Sequence, residues 1–176
     1  LAHILVSKYV DHLPFYRQIQ MFKRDFGWEP AGSTMSDWMA GCCRLLEPLY
    51  NVLKQKILTS GYIQADESPI KVLDSDKKGS THQGYQWVYH DPIGKLVLFN
   101  YRKGRGQHGP KELLASYSGY LQCDGYTVYD KIGAAPNITL AGCLVHARRK
   151  FHDALDNDKT RAQKALAIFR EIYKEE

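Results

Sequence analysis

The chain has no apolar run approaching the roughly 18 residues that a membrane-crossing helix needs. It shows no secretory leader pattern and no C-x-x-C pair among its four cysteines, Cys42, Cys43, Cys123 and Cys143. Cys42 and Cys43 are adjacent and fall in a helical pattern. A disulfide framework is therefore a poor reading, and reduced cysteines of a cytoplasmic protein are expected. Helix-stop signals are scarce at the end: "FREIYKEE" is helical in pattern and has no Gly, Asn or Pro to close it. The first residue is Leu1 rather than Met. Both ends are expected to be cut from something longer.

What is present is enough to fold. Hydrophobic residues make up 44% and charged residues 24%, so a packed core is available and wholesale disorder is excluded. Twelve tyrosines and three tryptophans point the same way. The length of 176 residues suits one domain, or one domain with a small helical appendage. A net charge of +5 permits a nucleic-acid partner, but small anionic metabolites suit it equally well.

Residues 1–60 read as a helical hairpin subdomain. Ile4, Leu5, Tyr9, Leu13, Tyr16, Ile19 and Phe22 recur at spacings of three and four. Pro14 kinks or restarts that segment, and Gly27 closes it. Ser33, Thr34 or Ser36 can cap the second helix, with Asp37 in its first turn. That helix carries the stripe Trp38, Cys42, Leu45, Leu46, Leu49, Val52, Leu53 and Ile57, which suits core packing. The spacing also fits a helix-turn-helix, with a plain packing hairpin the simpler reading. Ser33, Thr34 and Arg44 can touch phosphate, though nothing in the pattern singles them out.

Residues 61–176 change character. "YIQADESPIKVL" predicts a strand interrupted or bulged near Pro69, and "DSDKKGSTHQ" a polar loop. "GYQWVYHD" and "KLVLFNYR" are two further strands around a "PIG" turn. "KGRGQHG" is a basic, glycine-rich loop, and "PKELLASY" starts a helix. A fourth strand and short helix follow in "GYLQCDGYTVYDKIG", then a fifth strand, "NITLAGCLV", and two helical segments. The order β-β-β-α-β-α-β-α brings strands one, four and five together with helices on both faces. That is an α/β, ribonuclease-H-like fold with a mixed five-stranded sheet.

In such a sheet Asp66, inside the first strand, and Asp124, at the end of the fourth, lie on neighbouring strands. Phosphodiester cleavage needs an activated nucleophile and a stabilised leaving oxygen, which two divalent ions about 3.5–4 Å apart supply. Magnesium takes hard oxygen ligands, so carboxylates must converge from different strands. Asp66 and Asp124 satisfy that requirement. Each also has a plainer reading, Asp66 as a polar residue at a bulge and Asp124 as half of an Asp-Gly turn. The chemistry asks for a third carboxylate. Asp153, Asp156, Glu171, Glu175 and Glu176 are available, but each reads more simply as a solvated helix residue and none is adopted.

The phrases "VSKYVDHLPFYRQ", "ADESPIKVL", "YQWVYHDP", "ELLASYSGYLQCDGYTVYD" and "CLVHARRKFHDA" together resemble the central region of insertion-sequence 66 transposases. The resemblance runs from about residue 3 to residue 155 and rests on several motifs in the right order. It implies a transposase of the DDE type, with Asp66 as the first catalytic aspartate and Asp124 as the second, both binding Mg²⁺ or Mn²⁺. The family's glutamate belongs to a downstream stretch, approximately N-N-x-A-E-R, that does not occur here. Its more N-terminal DNA-binding, zinc-finger-like region is absent too. The implied partners are transposon-end and target DNA, with a homo-oligomer assembled on it and no membrane. The implied location is bacterial cytoplasm, at the nucleoid.

The resemblance also draws attention to Cys143 and His146. Two ligands are too few for a zinc site, and with Cys143 on the fifth strand a role in shaping the active site is expected. Arg148, Arg149 and Lys150 are candidates for holding DNA phosphates, against a solvated helix face. Arg102, Lys103 and Arg105 in the glycine-rich loop are similar candidates, against a flexible charged turn. The expected activity is cleavage and strand transfer at transposon ends in the full-length protein, with these 176 residues inactive alone. The alternatives are a nuclease without strand transfer and a catalytically dead nucleic-acid-binding or dimerisation module.

Overall fold

The computed structural model of the chain describes residues 1–74 and 79–174. The expected polar loop falls partly on residues 75–78, outside the described residues, and Glu175 and Glu176 lie outside them as well. Contacts divide the chain into two units, Leu1–Val52 and Leu53–Glu176.

The first unit is helical. Pro14 does restart the opening segment: α1 (Ala2–Tyr9) ends, and α2 (Phe15–Phe26) begins directly after the proline. Gly27 closes α2 in the left-handed region at φ 66°, its N–H donating to the Lys23 carbonyl over 3.0 Å. The third helix, α3 (Gly32–Leu58), opens earlier than expected, so Ser33 and Thr34 lie inside its first turn. Ser36 does not cap it; its hydroxyl bonds back to the Gly32 carbonyl over 3.0 Å. Ile4, Met35 and Met39 form a buried cluster against which Phe15, Ile19, Phe22 and Trp38 pack.

The second unit is built on one sheet with strand order β3-β2-β1-β4-β5. Strands β1 (Tyr62–Leu73), β2 (Thr81–Asp91) and β3 (Leu96–Arg102) form an antiparallel meander. Strands β4 (Gly119–Cys123) and β5 (Ile138–Gly142) add in parallel beside β1. Helix α4 (His108–Leu113) lies between β3 and β4, and α5 (Thr127–Gly133) between β4 and β5. Helix α6 (Leu144–Asp153), a single 3₁₀ turn (Ala154–Asp156) and α7 (Lys159–Ile172) follow. This order and these strand directions are the ribonuclease-H-like topology that the sequence pattern predicts.

Two local expectations are corrected. The register of β1 against β2 runs unbroken from Gln64↔His90 to Leu73↔Thr81, through Pro69↔Tyr85, so there is no bulge. Strand β4 pairs with β1 only as far as Gln64, so the proline's missing donor falls where one edge of β1 has no ladder to break. Cys143 is not on the fifth strand. That strand stops at Gly142, and Cys143 is the N-cap of α6. An apolar run such as "CLV" reads equally as strand or as buried helix, which is why sequence periodicity extended β5 too far.

One glycine is demanded by the geometry that joins β1 to β4. Gly119 has φ 147°, and a Cβ there would lie 2.5 Å from the Gly61 carbonyl oxygen. The next residue, Tyr120, donates its N–H to that same oxygen over 2.9 Å. The parallel pairing therefore starts with two backbones in close contact.

Candidate active site

Strand alternation sorts the sheet's side chains by face. Ile63, Ala65, Trp87, Tyr89, Leu98, Leu121 and Cys123 are buried on one face. Helix α5 covers it through Tyr129, whose ring meets Trp87 edge-on at 6.1 Å. The other face carries Tyr62, Gln64, Asp66, His90 and Gln122. Here the Tyr62 hydroxyl and Gln64 Nε2 both donate to Gln122 Oε1 over 2.7 Å, and His90 Nδ1 lies 2.8 Å from Gln64 Oε1.

Asp66 and Asp124 both lie just past the carboxyl end of the paired segment of β1 and β4. The last paired residues there are Gln64↔Gln122. Asp66 follows two residues after Gln64 on β1, and Asp124 two residues after Gln122, directly beyond β4. Asp66 lines a cleft of about 530 Å³ and Asp124 an adjoining cleft of about 570 Å³. Cys123, Cys143, His146 and Arg149 line both. The open end of parallel strands is where α/β sheets hold their ligands.

Each aspartate has one oxygen anchored by backbone. Asp66 Oδ1 accepts from the Glu67 N–H over 2.8 Å, and Asp124 Oδ1 from the Tyr126 N–H over 3.0 Å. Asp66 Oδ2 stands 3.8 Å from His146 Nε2, beyond hydrogen-bond range. The Nδ1 of His146 is buried and has no hydrogen-bond partner among the described residues. Burial pushes the Cys123 thiol up to about 11, with the Asp124 charge adding to the effect. A thiol shifted in that direction is neutral at physiological pH.

The other basic candidates are distributed unevenly. Arg149 and Lys150 line the Asp124 cleft. Arg148, on the same helix, is exposed and is not among the residues lining either cleft. Arg102 pairs with Glu112 over 3.1 Å and bonds Asn100 over 2.9 Å, while Lys103 is exposed. Arg105 lines the Asp124 cleft but is already engaged, its Nε and Nη2 donating to Glu67 Oε1 over 2.8 and 2.6 Å.

Glu67 was not singled out by sequence. Its side chain is only 1% exposed, whereas that of Asp66 is 56% exposed. Its other oxygen accepts from the Tyr129 hydroxyl over 3.1 Å. Burial holds the Glu67 carboxyl above the usual range, and the Arg105 guanidinium opposes that shift without cancelling it. Burial and the Glu67 charge likewise raise Tyr129. Strand alternation from Asp66 was the available signal for Glu67, because it sends the next residue to the packed face.

Among the described residues no group of three or more His, Cys, Asp or Glu side chains is close enough to hold a metal ion. Two carboxylates nonetheless suit magnesium, which takes one or two from protein and completes its shell with water and phosphate oxygens. No helix among the described residues is long and apolar enough to cross a membrane.

All of residues 1–176 match the Transposase IS66 family. The uncharacterized protein y4qI of Sinorhizobium fredii is 36% identical over 167 residues, covering 87% of this chain and 31% of that protein. The uncharacterized protein y4jD of the same organism is 33% identical over 187 aligned residues, covering 98% of this chain and 36% of that protein. The chain spans about a third of the length of the curated relatives it matches. A solved structure, the cryoEM structure of a simian T-cell lymphotropic virus intasome in complex with PP2A regulatory subunit B56 gamma, shows 12% identity and a TM-score of 0.35. It covers 62% of this chain and 48% of that one, a likeness too slight to carry an argument.

Proposed function

Because the chain belongs to the Transposase IS66 family, we propose that Asp66 and Asp124 are two catalytic carboxylates of a DDE-type centre that cleaves DNA and joins strands at transposon ends. The observation that supports this reading is their position: Asp66 on β1 and Asp124 directly after the neighbouring parallel strand β4, at two clefts with four lining residues in common. Asp66 and Asp124 would hold Mg²⁺ or Mn²⁺, which when bound supplies Lewis acidity at the phosphate and an activated water or 3′-hydroxyl.

The chain's own residues prepare that centre. The backbone amides of Glu67 and Tyr126 fix one oxygen of each aspartate, which restricts the carboxylates to one orientation. His146 lies beside Asp66 and shapes the wall common to both clefts, with Cys143 next to it at the start of α6. Arg149 and Lys150 hold the DNA backbone, which positions the scissile phosphate without reading sequence. Transposon-end and target DNA are the partners, and a homo-oligomer on DNA is the working assembly. The chemistry asks for a third carboxylate in addition, and none of the described acids is assigned to it.

Transposition by the complete protein tests the assignment. Asp66→Asn and Asp124→Asn should each reduce it to background, and wild-type transposition by either variant overturns the proposal. Supplying a 3′-hydroxyl DNA donor to purified protein separates the reaction classes. Joined product supports a transposase, and hydrolysis without joining marks a nuclease.

A further inference from the structure

Glu67 follows Asp66 on β1, points to the opposite face and is buried, yet it forms part of the surroundings of Asp124. A carboxylate withdrawn from water to that extent needs partners. Arg105 provides two hydrogen bonds from the connection between β3 and α4, and Tyr129 a third. The Arg105 guanidinium also lies 4.1 Å from the centre of the Tyr126 ring. Returning the contact, the Tyr126 hydroxyl donates to the Arg105 carbonyl oxygen over 3.0 Å. The backbone N–H of Tyr126 is the group that anchors Asp124 Oδ1. Gly104 and Gly106 flank Arg105 and bring no side chain to pack, so anchoring of residues 104–106 falls to Arg105.

We infer that Glu67 is a positioning residue: acting through Arg105 and Tyr126, it fixes Asp124 relative to Asp66, and Arg105 serves this brace instead of a DNA phosphate. The inference rests on the catalytic reading of the two aspartates. It gives the glycine-rich loop a task that its composition does not suggest. A basic loop placed beside a DNA-processing centre invites assignment to phosphate contact. Here the guanidinium's planar fork is already spent on a buried carboxylate, a pairing that a lysine cannot reproduce.

The experiment uses the complete purified protein and a duplex with the element's terminal sequence and a free 3′-hydroxyl. Joining rate at saturating DNA, half-saturating DNA concentration, thermal melting and trypsin cleavage after Lys103 are read for each variant. Glu67→Gln and Arg105→Ala should each lower the saturated rate by about tenfold or more, as loss of a supporting residue behind a ligand does, with half-saturation unchanged. Arg105→Lys should recover part of the rate lost in Arg105→Ala. The double variant should be no worse than the poorer single one, because both cut the same chain of contacts. Glu67→Gln should also speed cleavage after Lys103.

A wild-type saturated rate in Glu67→Gln overturns the inference. So does a rise in half-saturation with an intact rate in Arg105→Ala, which marks a phosphate contact. Should Glu67→Gln lose its cooperative melt, Arg105→Lys decides: a reduced rate at unchanged half-saturation supports the brace, and a wild-type rate sinks it. Asp66→Asn runs alongside as the control. Joining retained in Asp66→Asn removes the catalytic reading itself, whereas joining lost there but kept in Glu67→Gln and Arg105→Ala removes the brace alone.

Discussion

The two faces of the sheet are made from the same strands and meet different demands. On one, Ile63, Trp87, Tyr89, Leu98 and Leu121 are fully excluded from solvent. On the other, a chain of amide, hydroxyl and imidazole groups from Tyr62, Gln64, His90 and Gln122 is linked by hydrogen bonds beside Asp66. Asp66 and Glu67 are consecutive acids that fall on opposite sides of this division. The exposed one meets an open cleft, and the buried one meets Arg105 and Tyr129. Side-chain type alone does not assign a carboxylate its task. The face it occupies does.

Substitutions on each face can break or sharpen that contrast. Trp87→Ala, at a position with no exposure and an aromatic neighbour, should cost about 3–5 kcal/mol in chemical denaturation, as large core truncations do. A loss as small as that of a surface substitution would show that the packed face is not the sheet's main support. Next in size is the pair of neighbouring acids. Glu67→Ala strands a partly exposed arginine and a buried tyrosine hydroxyl and should cost about 1–3 kcal/mol. Asp66→Ala, on the open face, should stay within about 0.5 kcal/mol of wild type. Equal losses in the two would erase the distinction between the faces.

Gly119→Ala tests the seam where β1 and β4 meet. Its backbone lies at a φ that side chains rarely adopt, and the new Cβ would press on the Gly61 carbonyl, so a loss of about 1–3 kcal/mol is expected in the same assay. The smallest effect concerns the β2–β3 turn, which sets the register that sorts side chains between faces. Asp91 is buried there, and the Gly94 amide, foremost among its partners, holds its carboxyl below the usual carboxylate range. A depressed carboxyl contributes stability that is present above its unfolded pKa and is lost as pH falls through the folded one. Asp91→Asn should therefore be less stable than wild type at neutral pH, and the gap should narrow below about pH 4. A gap that stays constant on acidification would remove the ionised carboxylate from the turn's support.

Much of this arrangement was legible from pattern. The meander and the two helical crossovers follow from alternation, turn residues and strand order. The restart after Pro14 and the stop at Gly27 are local chemistry, and local chemistry reads well from sequence. Pro69 misled because its effect depends on how far a neighbouring strand extends, which is a tertiary fact. Cys143 misled because a short apolar run has no period of its own. Glu67, and the pairing of Arg105 with it, stayed hidden for a different reason. They are 38 residues apart, and the loop that carries Arg105 reads as solvated until the fold closes it over β1.

The alternation of Asp66 and Glu67 also bears on which genetic changes the gene can absorb. Inserting or deleting one codon between Tyr62 and Asp66 would rotate the strand's remaining residues onto the wrong sides of the sheet. The acid meant for the cleft would enter the apolar layer, and the acid paired with Arg105 would turn to solvent. Point substitutions in that stretch replace one side chain each, whereas a frame-preserving indel of one residue exchanges two chemistries at once. Length between Gly61 and Asp66 is thus under tighter constraint than identity.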